Sequence, residues 1–304
     1  MASFIPYSVA MVTPFTKAGT LDVKSVPHVV RYYLDQNIPG LLVSGTTGEQ
    51  HCMTIDERKQ LYSLVGETAA GRCQLYAGVA AFKTEDAKEL AQAAKEAGFS
   101  GIMLGFPPYR LPSQQEAELY VSEVAACVKE LPIFLYNCPH QNGFDLEPET
   151  FVRIAKTVDN IYGLKETGNP ENVNKVKAAL EDASAYWFFS GSDLGFNNAF
   201  TTQGYTGLTS MAGNVYPDQV KSIVDHLLKN EIAQAKQIME DIAPGIKLLE
   251  KAGMIQSIKY ILRKRNVPVG YCPRPILDVS DEIKQALDET FFHAKINKIR
   301  ESIV

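Results

Sequence analysis

One ammonium group closes a run that otherwise reads as a buried strand: Lys165, in Ile161-Tyr-Gly-Leu-Lys-Glu-Thr-Gly168. Desolvating a charged lysine is costly, so a lysine in a dry strand lowers its pKa, and a neutral amine is a nucleophile toward carbonyls. The plainer reading has Lys165 reaching solvent or pairing with the adjacent Glu166. Gly45-Thr-Thr-Gly-Glu49 is open to several readings as well: a tight turn, a phosphate-cradling nest, or a seat for a small carboxylate, with Thr46 and Thr47 adding hydroxyl donors. Tyr109 and Tyr136, each alone, are ordinary amphipathic core residues. Together, a lysine, two tyrosines, a hydroxyl pair and an anion seat supply the parts of one reaction, addition of an amine to a 2-oxo acid. The lysine attacks the keto carbon, and a tyrosine–threonine relay delivers a proton to the departing hydroxyl while backbone amides hold the carboxylate. The protonated imine is an electron sink, so a carbon–carbon bond at the neighbouring carbon breaks or forms through an enamine. This chemistry requires no metal or cofactor, and the histidines at 28, 51, 140, 226 and 293 show no ligand spacing.

The elements that must position these residues follow a regular rhythm. Apolar, β-rich segments fall at 7–12, 40–43, 75–80, 101–106, 133–137, 161–165, 186–190 and 207–211, and most of the intervals between them carry a helical pattern. Thr54-Ile-Asp-Glu57 and Ser113-Gln-Gln-Glu116 fit the capping box that opens a helix. Leu90, Ala91, Ala94 and Ala97, closed by Gly98, mark a helix packed on a sheet. Eight such units predict an α/β fold, a (β/α)8 TIM barrel over 1–215. An open doubly wound sheet is the structural rival, but the first strand is followed by Thr13-Pro-Phe-Thr16 rather than a glycine-rich dinucleotide turn. Beyond position 211 the pattern turns wholly helical, with helices expected over 217–228, 231–250, 254–265 and 280–300. Residues 216–304 therefore read as C-terminal helices that complete and extend the barrel. In such a barrel the active site forms at the carboxyl ends of the strands. The Gly45–Glu49 run, Tyr109, Tyr136, Lys165, Gly191, Asp193 and Ser210 all fall there, and Leu208 on the eighth strand joins the expected substrate-binding set.

Composition excludes several classes. The 304-residue chain is 45% apolar with a net charge of −5, which suits a packed domain and gives no basic stripe for nucleic acid. Five cysteines at 52, 73, 127, 138 and 272, without a Cys-x-x-Cys pair, read as reduced core residues. Residues 1–15 lack a basic leader and contain Pro6, and no apolar run reaches membrane-spanning length, so the expectation is a cytoplasmic protein without a membrane partner.

Gly45-Thr-Thr-Gly-Glu49, Tyr136-Asn-Cys-Pro139 followed by Gly143, and Gly163-Leu-Lys-Glu166 resemble, in order and separation, the signatures of the N-acetylneuraminate lyase and dihydrodipicolinate synthase superfamily. The similarity runs from about Pro6 to Ile276 and includes Pro268-Val-Gly270. The resemblance implies a class I, Schiff-base mechanism with pyruvate as the common substrate or product. It assigns Lys165 to the imine, Tyr136 to proton transfer, and Thr46 and Thr47 to the pyruvate carboxylate and the relay. It also matches Tyr109 to a tyrosine that many members insert into a neighbouring subunit, which implies a homotetramer built as a dimer of dimers.

Departures from the family pattern bear on the second substrate. Members that make dihydrodipicolinate usually carry an arginine two residues past the proline, where it grips the carboxylate of aspartate semialdehyde, and here that position is Gln141. Sialic acid lyases carry an Asp-Glu pair after strand seven, and this chain has Asp193-Leu194. Gln141, Asn142, Ser192, Asp193 and Ser210 form a neutral to mildly acidic set suited to a polyhydroxylated aldehyde. The leading expectation is therefore a pyruvate-releasing aldolase acting on a 2-oxo-3-deoxy sugar acid or related hydroxy-oxo acid. Dihydrodipicolinate synthesis is the first alternative, supported if Arg110 turns inward. A 2-oxo acid dehydratase using the same imine is a second, and a non-catalytic metabolite-binding homologue, which would be expected to have lost Lys165 or Tyr136, is a third.

Overall fold

The computed structural model describes residues 4–293. Eight parallel strands close into a barrel in sequence order: β1 (Tyr7–Ala10), β2 (Gly40–Val43), β3 (Gln74–Val79), β4 (Gly101–Gly105), β5 (Ile133–Asn137), β6 (Ile161–Glu166), β7 (Trp187–Ser190) and β8 (Gly207–Ser210). Around it run α1 (Val26–Asp35), α2 (Ile55–Ala69), α3 (Thr84–Glu96), α4 (Gln114–Cys127), the short α5 (Pro139–Asn142), α6 (Pro148–Thr157), α7 (Glu171–Ala179) and α8 (Phe196–Gln203). After β8 come α9 (Pro217–Leu228), α10 (Ile232–Ala252), α11 (Met254–Lys264) and α12 (Asp281–Asp288). The end of the helix expected over 280–300 lies outside the described residues.

Both capping boxes form. Thr54 and Ser113 accept from the backbone amides of Glu57 and Glu116, whose carboxylates accept in return from the cap amides. The eighth strand is shorter than expected, because Asp193 accepts hydrogen bonds from the amides of Met211 and Ala212 and draws them out of the ladder into a turn.

Two separate apolar clusters follow from strand alternation. One packs the outward strand faces, including Leu41, Leu104 and Leu164, against the helices. The other fills the barrel itself with Phe4, Ala10, Leu42, Tyr76, Met103, Phe134 and Phe189. The interior rings need room. A Cβ on Gly207 would lie 2.6 Å from the Phe189 ring, so glycine there lets the ring cross the barrel. Phe189 is in register with Lys165, and Phe134 lies two residues before Tyr136, so the functional positions rest on this dry aromatic layer.

Candidate active site

Tyr136 and Lys165 are direct register partners on β5 and β6. Residues in register on adjacent parallel strands project to the same face, so the barrel itself sets the amine beside the phenol. Lys165 is 5% exposed, and its Nζ lies 4.3 Å from the centroid of the Tyr136 ring. Burial pulls its pKa down to about 8, against a smaller opposing pull from Cys138 and Asp193. Adjacent strand residues face opposite ways, and Glu166 is accordingly spent elsewhere. It accepts hydrogen bonds from Asn137 Nδ2 at 2.9 Å and from the Gly168 amide at 2.6 Å. The plainer reading of Lys165, as a solvent lysine or a partner of Glu166, does not describe this geometry.

The Tyr136 hydroxyl is hydrogen-bonded to Thr46 and Thr167, which favour its ionised form, and to Cys138. Burial nevertheless pushes its pKa up, so it rests as a neutral phenol able to give and take a proton. Thr46 comes from the turn after β2, and Thr47 beside it is buried. Thr13, past the end of β1, donates to the Gly48 carbonyl at 2.7 Å and ties that turn to the barrel. Gly191 closes the site from β7. A Cβ there would lie 2.4 Å from Thr167 Cγ2 and 3.0 Å from Lys165 Cε, so only glycine leaves the amine its space.

A cavity of about 380 Å³ lies against Thr46 and Tyr136, with Cys138, Gln141 and Asn142 also in its wall, while Lys165, Thr47 and Gly191 sit behind that lining. Not every expected site residue joins it. Asp193 is buried with both carboxylate oxygens taken, by the Ser210 hydroxyl and by the amides of Met211 and Ala212. Ser210 in turn accepts from the Gly213 amide at 2.7 Å. That pair thus shapes the end of β8, and neither residue stands in the cavity wall. Leu208 is buried in the main core cluster, in register with Tyr7 on β1 and Ser190 on β7, and does not line the cavity. Gln141 and Asn142 do. Tyr109 stands 95% exposed with φ +75° on the loop between β4 and α4, and its neighbour Pro108, not Tyr109, lines the cavity. Arg110 on the same loop is exposed. Of the five thiols, all free, only Cys138 is buried; Cys127 is exposed, so a core role does not describe the cysteines as a set.

Three contributors escape sequence reading. Thr167 carries a signal, since it lies two residues beyond Lys165 on the same face of the chain. Arg58 carries a weaker one: it shares the buried α2 stripe of Leu61, Tyr62 and Val65. It is 3% exposed and donates to Ser44 Oγ at 3.0 Å, to the Gly78 and Ala80 carbonyls at 2.7 Å each, and to Gln50 Oε1 at 3.0 Å. It therefore staples the start of the β2 turn to the end of β3. Cys138, within Tyr136-Asn-Cys-Pro139, gives no sequence sign that it reaches the Tyr136 hydroxyl. Among the described residues no group of three or more His, Cys, Asp or Glu side chains is placed to hold a metal ion, and no helix is long and apolar enough to cross a membrane.

A closed parallel barrel with this lysine at the carboxyl end of its sixth strand defines an aldolase-type enzyme. The chain belongs to the Dihydrodipicolinate synthetase family, whose model matches residues 4–294. It is 29% identical over 284 residues to the 4-hydroxy-tetrahydrodipicolinate synthase of Bacillus subtilis (strain 168), covering 93% of this chain and 97% of the relative. To the enzyme of the same name from Synechocystis sp. it is 31% identical over 278 residues, 91% of each chain. The crystal structure of dihydrodipicolinate synthase from Aquifex aeolicus superposes with a TM-score of 0.90 at 26% identity, covering 96% of this chain and 98% of that one.

Proposed function

We propose that this enzyme binds pyruvate as an imine on Lys165 and condenses it with aspartate semialdehyde, the activity of a 4-hydroxy-tetrahydrodipicolinate synthase. The carrying observation is the buried Lys165 amine, its pKa drawn to about 8, facing the Tyr136 ring at 4.3 Å. In this reading the neutral amine attacks the keto carbon, and Tyr136 passes a proton to the departing hydroxyl through Thr46. The amides of the Gly45–Glu49 turn and the Thr47 hydroxyl hold the carboxylate.

Support for the acceptor comes from two sides. Similarity to enzymes named for this synthesis runs along almost the whole chain. The sugar-acid expectation, for its part, counts on Asp193 and Ser210, which hydrogen-bond each other and stand outside the cavity wall. Two residues still favour the sugar-acid aldolase as a second reading: Gln141, a neutral amide in the cavity wall where the synthases usually carry an arginine, and Arg110, which is exposed and does not turn inward to replace it. Steady-state kinetics separate the two. Condensation of pyruvate with aspartate semialdehyde, in strong preference to cleavage of 2-oxo-3-deoxy sugar acids, supports the synthase. The reverse preference overturns it, and loss of water without carbon–carbon cleavage assigns the dehydratase.

The assembly belongs to the same proposal. Phe82, Tyr109 and Leu111 are exposed by 70%, 95% and 49%. Phe82 stands in the cavity wall beside Pro108, so burying these side chains against a second copy would close the mouth of the site. That supports pairing with a second copy, the homotetramer built as a dimer of dimers being what the family resemblance implies, and five free thiols suit a reducing cytoplasm.

A further inference from the structure

The turn that carries Thr46 and Thr47 ends in a residue under backbone strain. Glu49 adopts φ +53°, a left-handed conformation that a non-glycine side chain holds only where its surroundings enforce it. Within the turn the Glu49 amide donates to the Thr46 carbonyl at 3.0 Å, so the conformation at 49 is linked directly to the placement of the threonines. The Glu49 side chain is 3% exposed and forms an ion pair with Lys259, which is wholly buried on α11. Lys259 also donates to the Tyr271 carbonyl at 3.2 Å and lies 4.6 Å from the Phe15 ring centroid, so its position is fixed from three sides. Cys272 adds a hydrogen bond to Glu49.

We infer that Lys259, reaching from the C-terminal helices, is a positioning residue for the pyruvate carboxylate seat: it holds Glu49, and through it the turn, so that the donors of Thr46 and Thr47 face the amine of Lys165. The inference rests on the imine reading of Lys165. It gives the C-terminal extension a task in binding, since two residues 210 positions apart meet beneath the turn. A small loss of alignment in that seat weakens the grip on a planar carboxylate while leaving the amine and its burial intact.

Borohydride trapping of the full-length protein across a pyruvate series, together with thermal unfolding, tests this. Lys259→Met and the paired Glu49→Gln/Lys259→Met are expected to raise the pyruvate concentration for half-maximal trapping about tenfold or more, with the trapped fraction at saturation unchanged. Lys259→Arg keeps the charge and should return half-saturation to within about threefold of wild type. The paired variant leaves no buried charge unmatched, so it should fold even where Lys259→Met does not. A folded paired variant that saturates at the wild-type pyruvate concentration overturns the inference. So does a paired variant that cannot fold, which would assign the ion pair to the fold alone, and so does a lowered ceiling with unchanged half-saturation. Absence of any wild-type adduct is a separate failure, of the imine reading itself, and removes the reaction the turn would serve.

Discussion

Replacing Lys165 by methionine should abolish chemistry and yet stabilise the fold at neutral pH. The amine titrates near 10.5 when solvated and near 8 in the folded chain. That difference corresponds to about 3 kcal/mol that the folded state loses whenever it must carry the buried charge. The Tyr136 ring, 4.3 Å away, belongs to the environment that sets this value, so its cation–π contribution is already contained in it. A gain of about 3 kcal/mol is therefore expected from Lys165→Met at pH 7. The sign follows from proton counting: between pH 8 and 10.5 the unfolded chain still holds the proton that the folded chain has released, so wild-type stability rises with pH across this window. Methionine removes the titration, and its advantage should shrink toward zero by pH 10.5. Urea unfolding of both proteins at pH 7 and pH 10.5 reads the difference. A variant less stable than wild type by the same amount at both values would refute the reasoning.

The neutral amine is the reactive form, so kcat/KM for pyruvate should climb as pH approaches about 8 and level off above it, and a profile already flat at pH 6 would contradict this. Gly191→Ala places a methyl 2.4 Å from Thr167 Cγ2 and 3.0 Å from Lys165 Cε. It should lower kcat by about 10²-fold with a stability loss of about 1–3 kcal/mol, measured by steady-state kinetics beside urea unfolding. Arg58→Met strands the Ala80 carbonyl and frees Ser44, and should destabilise the fold by about 3 kcal/mol; a variant of wild-type stability would deny Arg58 its stapling role.

Much of this architecture is local in origin and therefore readable from the chain. The eight strand segments, the two capping boxes and the placement of Lys165 and Tyr136 at strand ends depend on short-range alternation and spacing, and the barrel follows from their repetition. What escapes is pairing between distant segments. Asp193 reads as a sugar ligand by its place after β7, but it is consumed by Ser210 and two amides that only the closed barrel brings to it. Arg58 and Lys259 look like ordinary helix cations until the fold buries them against the β2 turn. Tyr109 marks the opposite limit: it stands 95% exposed in the single chain, and the role proposed for it needs a second copy.

The most direct test of the account is to incubate the protein with pyruvate, reduce with borohydride and map the modified peptide by mass spectrometry. One adduct is expected, on Lys165, with the added mass of pyruvic acid less one oxygen, and none in Lys165→Met. An adduct on another lysine, or none on wild type, would contradict it.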